Sequence, residues 1–172
     1  MIADPTRPLS ADQARRNRRV IVAIAVVFVI TSVAVSVWGL TVTQAARGKA
    51  RDTDAALRTV AWAVLCYATA NDGAFPVRDE QVSTLDAETG PPAGGQWPST
   101  RESALGGLAP MATRDAVAAI GITWGSGPDV APNLNTNGKS STRGTVDTVN
   151  GWIAEYARAR ARGDAAPVPA PK

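Results

Sequence analysis

Histidine is absent from this 172-residue chain, and Cys66 is its only cysteine. Without histidine the usual zinc sites and the Ser–His and Cys–His nucleophile pairs are excluded. A single cysteine permits no intrachain disulfide, so cysteine usage does not report on the redox compartment. Cys66 falls within a helical, apolar stretch, where a lone cysteine reads as a small core residue. The carboxylate pairs Asp79-Glu80 and Asp86/Glu88 lie in a polar loop. Acid/base chemistry of the glycosidase kind needs two placed carboxyl groups in different environments, and that loop offers no such contrast. Together these absences predict a protein that is not an enzyme.

Charge is sparse and unevenly placed. Lys and Arg number 18 against 15 Asp and Glu, a net of +3. Arg7, Arg15, Arg16, Arg18 and Arg19, against Asp4 and Asp12, account for that whole excess before residue 20. The rest of the chain is neutral in sum. A nucleic-acid partner would need a basic face on the folded part, and none is expected.

What the sequence does contain is one long apolar run. No charged residue occurs from Val20 to Val42, and about 20 apolar residues suffice for a helix to cross ~30 Å of hydrocarbon. The polar residues inside it, Thr31, Ser32, Ser36 and Thr41, are hydroxyls that can bond back to the helix itself. Trp38 sits near the far end, where an indole suits the bilayer interface. A cleaved signal peptide would have a shorter apolar core followed by an A-x-A-like site, and Thr43-Gln-Ala45 is only a weak match. Short flanks rich in arginine stay cytoplasmic, so the N-terminus is expected inside. Ser32 and Ser36 form a small-xxx-small pair that would let another membrane helix approach.

The expected organisation is a cytoplasmic basic segment at 1–19, a transmembrane helix at 20–42 and a continuation of that helix at 43–70. A small extracytoplasmic domain at 71–163 and a disordered Pro/Ala-rich tail at 164–172 complete it. Outside the bilayer roughly a hundred residues remain, enough for one modest core. In the continuation, Leu57, Val60, Ala61, Val64 and Leu65 follow the i, i+3, i+4, i+7 spacing of a single helical face. Asn71-Asp72-Gly73 supplies a stop, with Gly73 free to turn left-handed. Further on, one short element is expected within the stretch DEQVSTLDAETG. Ser99 with Glu102 matches a capping box, Thr113 offers a cap to a second short helix, and Ile122-Thr123-Trp124 is the best strand candidate. The last helix is expected over Thr145–Arg162, with Val146, Val149, Ile153, Tyr156 and Ala157 as its apolar face. The fold class is thus a single-pass membrane α protein, a long N-terminal helix followed by a small α+β extracytoplasmic domain. The five tryptophans are spread about one per element and read as core anchors.

Asn133, Asn135 and Asn137, followed by Gly138, place oxygen side chains at alternate positions as at the start of a calcium loop, with Asp129 just upstream. The acidic ligands are missing, and Gly144 stands where a bidentate Glu is required. An asparagine-rich surface turn is the simpler reading, and calcium the only cofactor to consider.

The segment ALRTVAWAVLCYATANDGAFP at 56–76, reached from a basic N-terminus through an apolar helix, resembles type IV pilin-like proteins and type II secretion pseudopilins. Tyr67, Asn71-Asp72-Gly73 and Phe75-Pro76 stand where those proteins carry a tyrosine-containing turn, an Asn-Gly or Asp-Gly pair and an aromatic-Pro dipeptide. The resemblance covers residues 19–76. Arg18-Arg19-Val20-Ile21 replaces the glycine and the Phe-Thr-Leu-Ile-Glu-like stretch at the family's processing site, so it implies a divergent member lacking the prepilin peptidase motif. It also implies association through the long helix with pilin-like subunits, an oligomer or complex in the cell membrane, and slightly raises the calcium reading, because some pseudopilins hold calcium in a C-terminal loop. The expected function is therefore a non-enzymatic, membrane-anchored structural or assembly protein. The alternative is a bitopic accessory subunit or binding module whose helix is only a tether.

Overall fold

The structure is a computed structural model in which residues 11–85 and 90–163 are described. The expectations for residues 1–10, for Asp86 and Glu88, and for the tail at 164–172 lie outside these. The chain divides into two compact units, Met1–Ala45 and Ala46–Lys172.

Helix α1 runs Ala11–Ala70, starting earlier than the expected residue 19. Ala, Gln and Arg are good helix formers, and no proline interrupts residues 11–19. Within the first unit, α1 is long and apolar enough to cross a membrane. Its large apolar side chains from Val20 to Val42 are each 51–71% exposed. The hydroxyls in this stretch serve the helix's own carbonyls. Thr31 donates to Val27 O, Ser36 to Ser32 O and Thr41 to Trp38 O, all at 2.8 Å.

In the second unit the same helix is the core. From Thr53 to Ala68 every side chain is buried except Arg58 and Tyr67, which are half-buried. This corrects the expectation of a one-faced amphipathic stretch. Ala55, Ala56, Ala61, Ala63 and Ala68 lie between the larger residues and let neighbours close in from every side, and a helix apolar all round belongs inside. Leu57, Val60, Ala61, Val64, Leu65 and Ala68 join one cluster with Phe75, Val82, Val117, Ile120, Leu134, Val149, Ile153 and Tyr156. Trp62 and Cys66 form a second cluster with Ala104 and the partly buried Trp152. Trp62 presses so closely on Gly90 that a Cβ there would lie 2.2 Å from the indole.

The enclosing elements are short. They are α2 (Glu80–Ser83), α3 (Arg101–Leu105), α4 (Thr113–Ala119), β1 (Gly121–Thr123), β2 (Asn133–Asn135) and the longer α5 (Thr145–Ala161). Strands β1 and β2 pair antiparallel, with Gly121 opposite Asn135, Ile122 opposite Leu134 and Thr123 opposite Asn133. The strand expected at 122–124 thus sits one residue earlier, and β2 lies inside what reads as plain polar loop. The apolar face expected of α5 is largely the buried one: Val149, Ile153 and Tyr156 are buried, and Val146 and Ala157 pack partly buried against the core.

Local chemistry sets the element ends. Helix α1 stops where Asp72 and Gly73 both turn left-handed, at φ 52° and 80°, with the Gly73 N–H donating to Ala68 O at 2.6 Å. Glycine is required there twice over, because a Cβ on Gly73 would also lie 2.4 Å from Cδ of Arg160. The capping box of α3 uses Thr100 and Ser103 in place of Ser99 and Glu102. Thr100 is the residue in extended conformation, and the short Ser103 hydroxyl reaches back to its amide. Thr113 is the first residue of α4 and not its cap; the cap position is Ala112, with no side-chain bond.

One amide ties the sheet to α5. The Leu134 N–H donates to Asn150 Oδ1 at 2.9 Å, and Asn150 Nδ2 donates to Leu134 O at 2.8 Å. In an antiparallel pair one residue's N–H and C=O point the same way. Leu134 therefore turns both groups from β1 toward α5, and Asn150 stands in for a third strand.

Replacing Asn150 by Ala strands both backbone groups of the fully buried Leu134. Each unsatisfied group costs about 1–3 kcal/mol, so the unit loses about 2–6 kcal/mol. Chemical denaturation of the full-length protein in detergent, followed by tryptophan fluorescence, measures this; unchanged stability would show that the amide bracket carries no energy. Thr59 has the opposite sign. Its Oγ1 is buried without a hydrogen-bond partner among the described residues, so Thr59→Val is expected to stabilise by about 1 kcal/mol in the same assay.

Candidate functional sites

Four places carry the sequence-predicted site residues. The stripe Leu57, Val60, Ala61, Val64 and Leu65 is fully buried within the second unit's own core. Its apolar surface is consumed by α2, α4, β2 and α5, so it is not a face that a partner helix can meet.

Ser32 and Ser36 lie on the exposed first part of α1, where Ser36 Oγ bonds Ser32 O. The hydroxyl is satisfied within its own helix and leaves a small, flat step on the surface.

The asparagine run forms strand β2 and the turn that follows it. Asn133 and Asn135 are exposed on β2, on either side of buried Leu134. Asn135 Oδ1 accepts the Asn137 N–H at 2.9 Å, and Asn137 and Gly138 take φ of 51° and 75°. The Asn135 carboxamide also lies over Gly121, where a Cβ would come within 2.2 Å of Oδ1. Asp129 is committed elsewhere: its carboxylate pairs with Arg160 at 3.3 Å, and the same guanidinium donates to Gly73 O at 2.6 Å. Among the described residues no group of three or more Asp, Glu or Cys is gathered as metal ligands.

The tryptophans are separated by role. Trp97 meets Tyr156 edge-on at 5.3 Å and donates its indole N–H to Pro92 O. Trp152 lies under the Arg58 guanidinium at 5.5 Å. The Trp124 indole N–H donates to Asp79 Oδ1 at 2.7 Å, so Asp79 holds a loop in place. They do not form one stacking platform.

Sequence reasoning missed a cleft of about 490 Å³ in the second unit, between the start of its α1 segment and the turn after β2. Lys49, Asp52, Met111, Ala119, Lys139 and Ser140 line it. Two lysines ninety residues apart carry no signal of proximity in a linear pattern. Beside it, the buried carboxylate of Asp54 accepts the Thr142 N–H at 3.0 and 3.2 Å and pins that turn to α1.

No protein-family model, no characterised protein and no solved structure matches this chain.

Burial pushes the Cys66 thiol up from 9.0 to about 12, with the Arg101 guanidinium pulling weakly the other way. A folded-state value above the unfolded one stabilises the protein below about pH 9, and that contribution is lost as pH rises toward 12. Wild type is therefore expected to lose stability relative to Cys66→Ala over that window, and to resist maleimide labelling at pH 8 until denatured. Native labelling at the rate of a free thiol would contradict this placement.

Proposed function

We propose that this chain is a non-enzymatic, single-pass membrane protein whose helix anchors a small recognition module outside the cytoplasm, as an accessory subunit of a larger envelope complex. The observation that carries it is the burial of α1 on all sides from Thr53 to Ala68. A subunit that assembles through the outer half of its helix must keep one apolar stripe uncovered there, and this helix keeps none. Among the described residues, the uncovered apolar helix surface is the stretch Val20–Val42, which suits lipid. The arginines at Arg15, Arg16, Arg18 and Arg19 favour an N-terminus held in the cytoplasm.

The pilin- or pseudopilin-like reading rests on the layout of α1 and its stop at Asn71-Asp72-Gly73. Against it stand the enclosure of α1 from Thr53 to Ala68 and, among the described residues, a sheet of two three-residue strands. If subunits do associate through helices, the step at Ser32 and Ser36 in the apolar stretch is where contact is available.

Purification from native membranes separates these readings. A tethered module resists alkaline carbonate extraction, keeps its full-length mass with or without Met1, and leaves detergent-solubilised membranes as a monomer or in a complex of fixed stoichiometry. A shortened, N-methylated terminus and filaments would favour the pilin reading. Release by carbonate would overturn the anchor itself.

A further inference from the structure

The cleft beside Lys49 pairs an apolar wall with two cations. Met111 and Ala119 supply its apolar lining, and Lys49, Lys139 and Ser140 line it as well. Its turn is a built structure. Thr142 is tied to buried Asp54, the Lys139 N–H donates to Thr136 O at 3.0 Å, and Lys139 Nζ caps the Ala119 carbonyl at the end of α4. Lys49 is exposed and makes no ion pair among the described residues. With Asp52 counted, the lining sums to one positive charge.

We propose that this cleft holds the phosphodiester headgroup of an anionic phospholipid. A phosphodiester bears a single negative charge and balances the lining. The apolar wall suits the glycerol and first methylenes that a headgroup brings and a free anion does not. Six residues lie between Val42 and Lys49 in the sequence, so Lys49 follows soon after the end of the apolar stretch. This inference rests on the membrane reading of that stretch.

The test titrates full-length protein in neutral detergent with short-chain phosphatidylglycerol, and separately with inorganic phosphate, following the thermal unfolding midpoint by tryptophan fluorescence. The lipid is expected to raise the midpoint and inorganic phosphate to leave it unchanged. Each of Lys49→Gln and Lys139→Gln should raise the half-saturating lipid concentration about fivefold, and Asp52→Asn should lower it. Lys49→Gln and Asp52→Asn alter exposed side chains only, so they report even if Lys139→Gln folds poorly. The arginines at 15–19 respond alike in every variant and cancel. Identical titrations in wild type and variants overturn the site, and an equal response to inorganic phosphate overturns the headgroup assignment. Carbonate extraction of the same protein tests the membrane reading independently, so either can fail alone.

Discussion

A helix buried on every side obliges the rest of its unit to come round it, and the second unit is arranged by that demand. Leu57, Val60, Val64 and Leu65 face the cluster built by α2, α4, β2 and α5, while Trp62 and Cys66 on the opposite side are covered by the chain at 90–105. None of the covering elements except α5 exceeds seven residues. Isolated helices so short are not stable in water, and a two-stranded ribbon alone is marginal. They persist because α1 presents them with a continuous apolar surface. Dispersion and the hydrophobic effect at that surface replace the local propensity these pieces lack.

Enclosure also sets a polar problem, because short elements expose many backbone groups at their ends. The solutions are side chains reaching between elements. Asn150 serves the free edge of β2, Arg58 donates to Ala104 O at the end of α3, and Arg160 donates to Gly73 O at the end of α1. Asp54 accepts the Thr142 N–H from within α1 itself. Each joins a helix to a segment distant in sequence, and each fixes orientation where packing alone would allow sliding. Thr59 is the exception: its hydroxyl is enclosed without a hydrogen-bond partner among the described residues, which costs stability.

The periodic features were legible in the sequence. The uncharged run, the stop at Asp72-Gly73 and the buried face of α5 follow from hydropathy and turn chemistry, which are local. The enclosure of α1 was not legible, because alanine is compatible with both a solvent face and a close contact; Ala55, Ala56 and Ala63 read as neutral filler until their neighbours are known. Strand β2 was hidden by its composition, since two of its three residues are asparagines that bend the chain elsewhere. Its strand conformation depends on Asn150, sixteen residues on. The α3 cap shifted by one residue because Ser99 and Thr100 are chemically equal candidates and only the backbone decides between them. The cleft at Lys49 and Lys139 was out of reach for the same reason as the Asn150 bracket: both are made by residues far apart in sequence.

The apolar surface of the first unit bears on what can cover it. Large apolar residues between Val20 and Val42 are exposed in every direction around the helix, at Ile21, Ile24, Phe28, Val29, Val33 and Leu40 among others. One partner helix covers a single stripe, roughly a third of the circumference. The remaining side chains would still face water, each at a cost of about 1.5–3 kcal/mol relative to burial. Protein partners would have to surround the helix completely to do better. Lipid covers the whole circumference at once, and the Thr31, Ser36 and Thr41 hydroxyls already bond to their own helix. The second unit encloses its own segment of α1 with protein, and the first leaves its segment bare. That contrast within one helix is the physical argument for reading the bare part as a membrane-crossing stretch and the enclosed part as the core of the second unit.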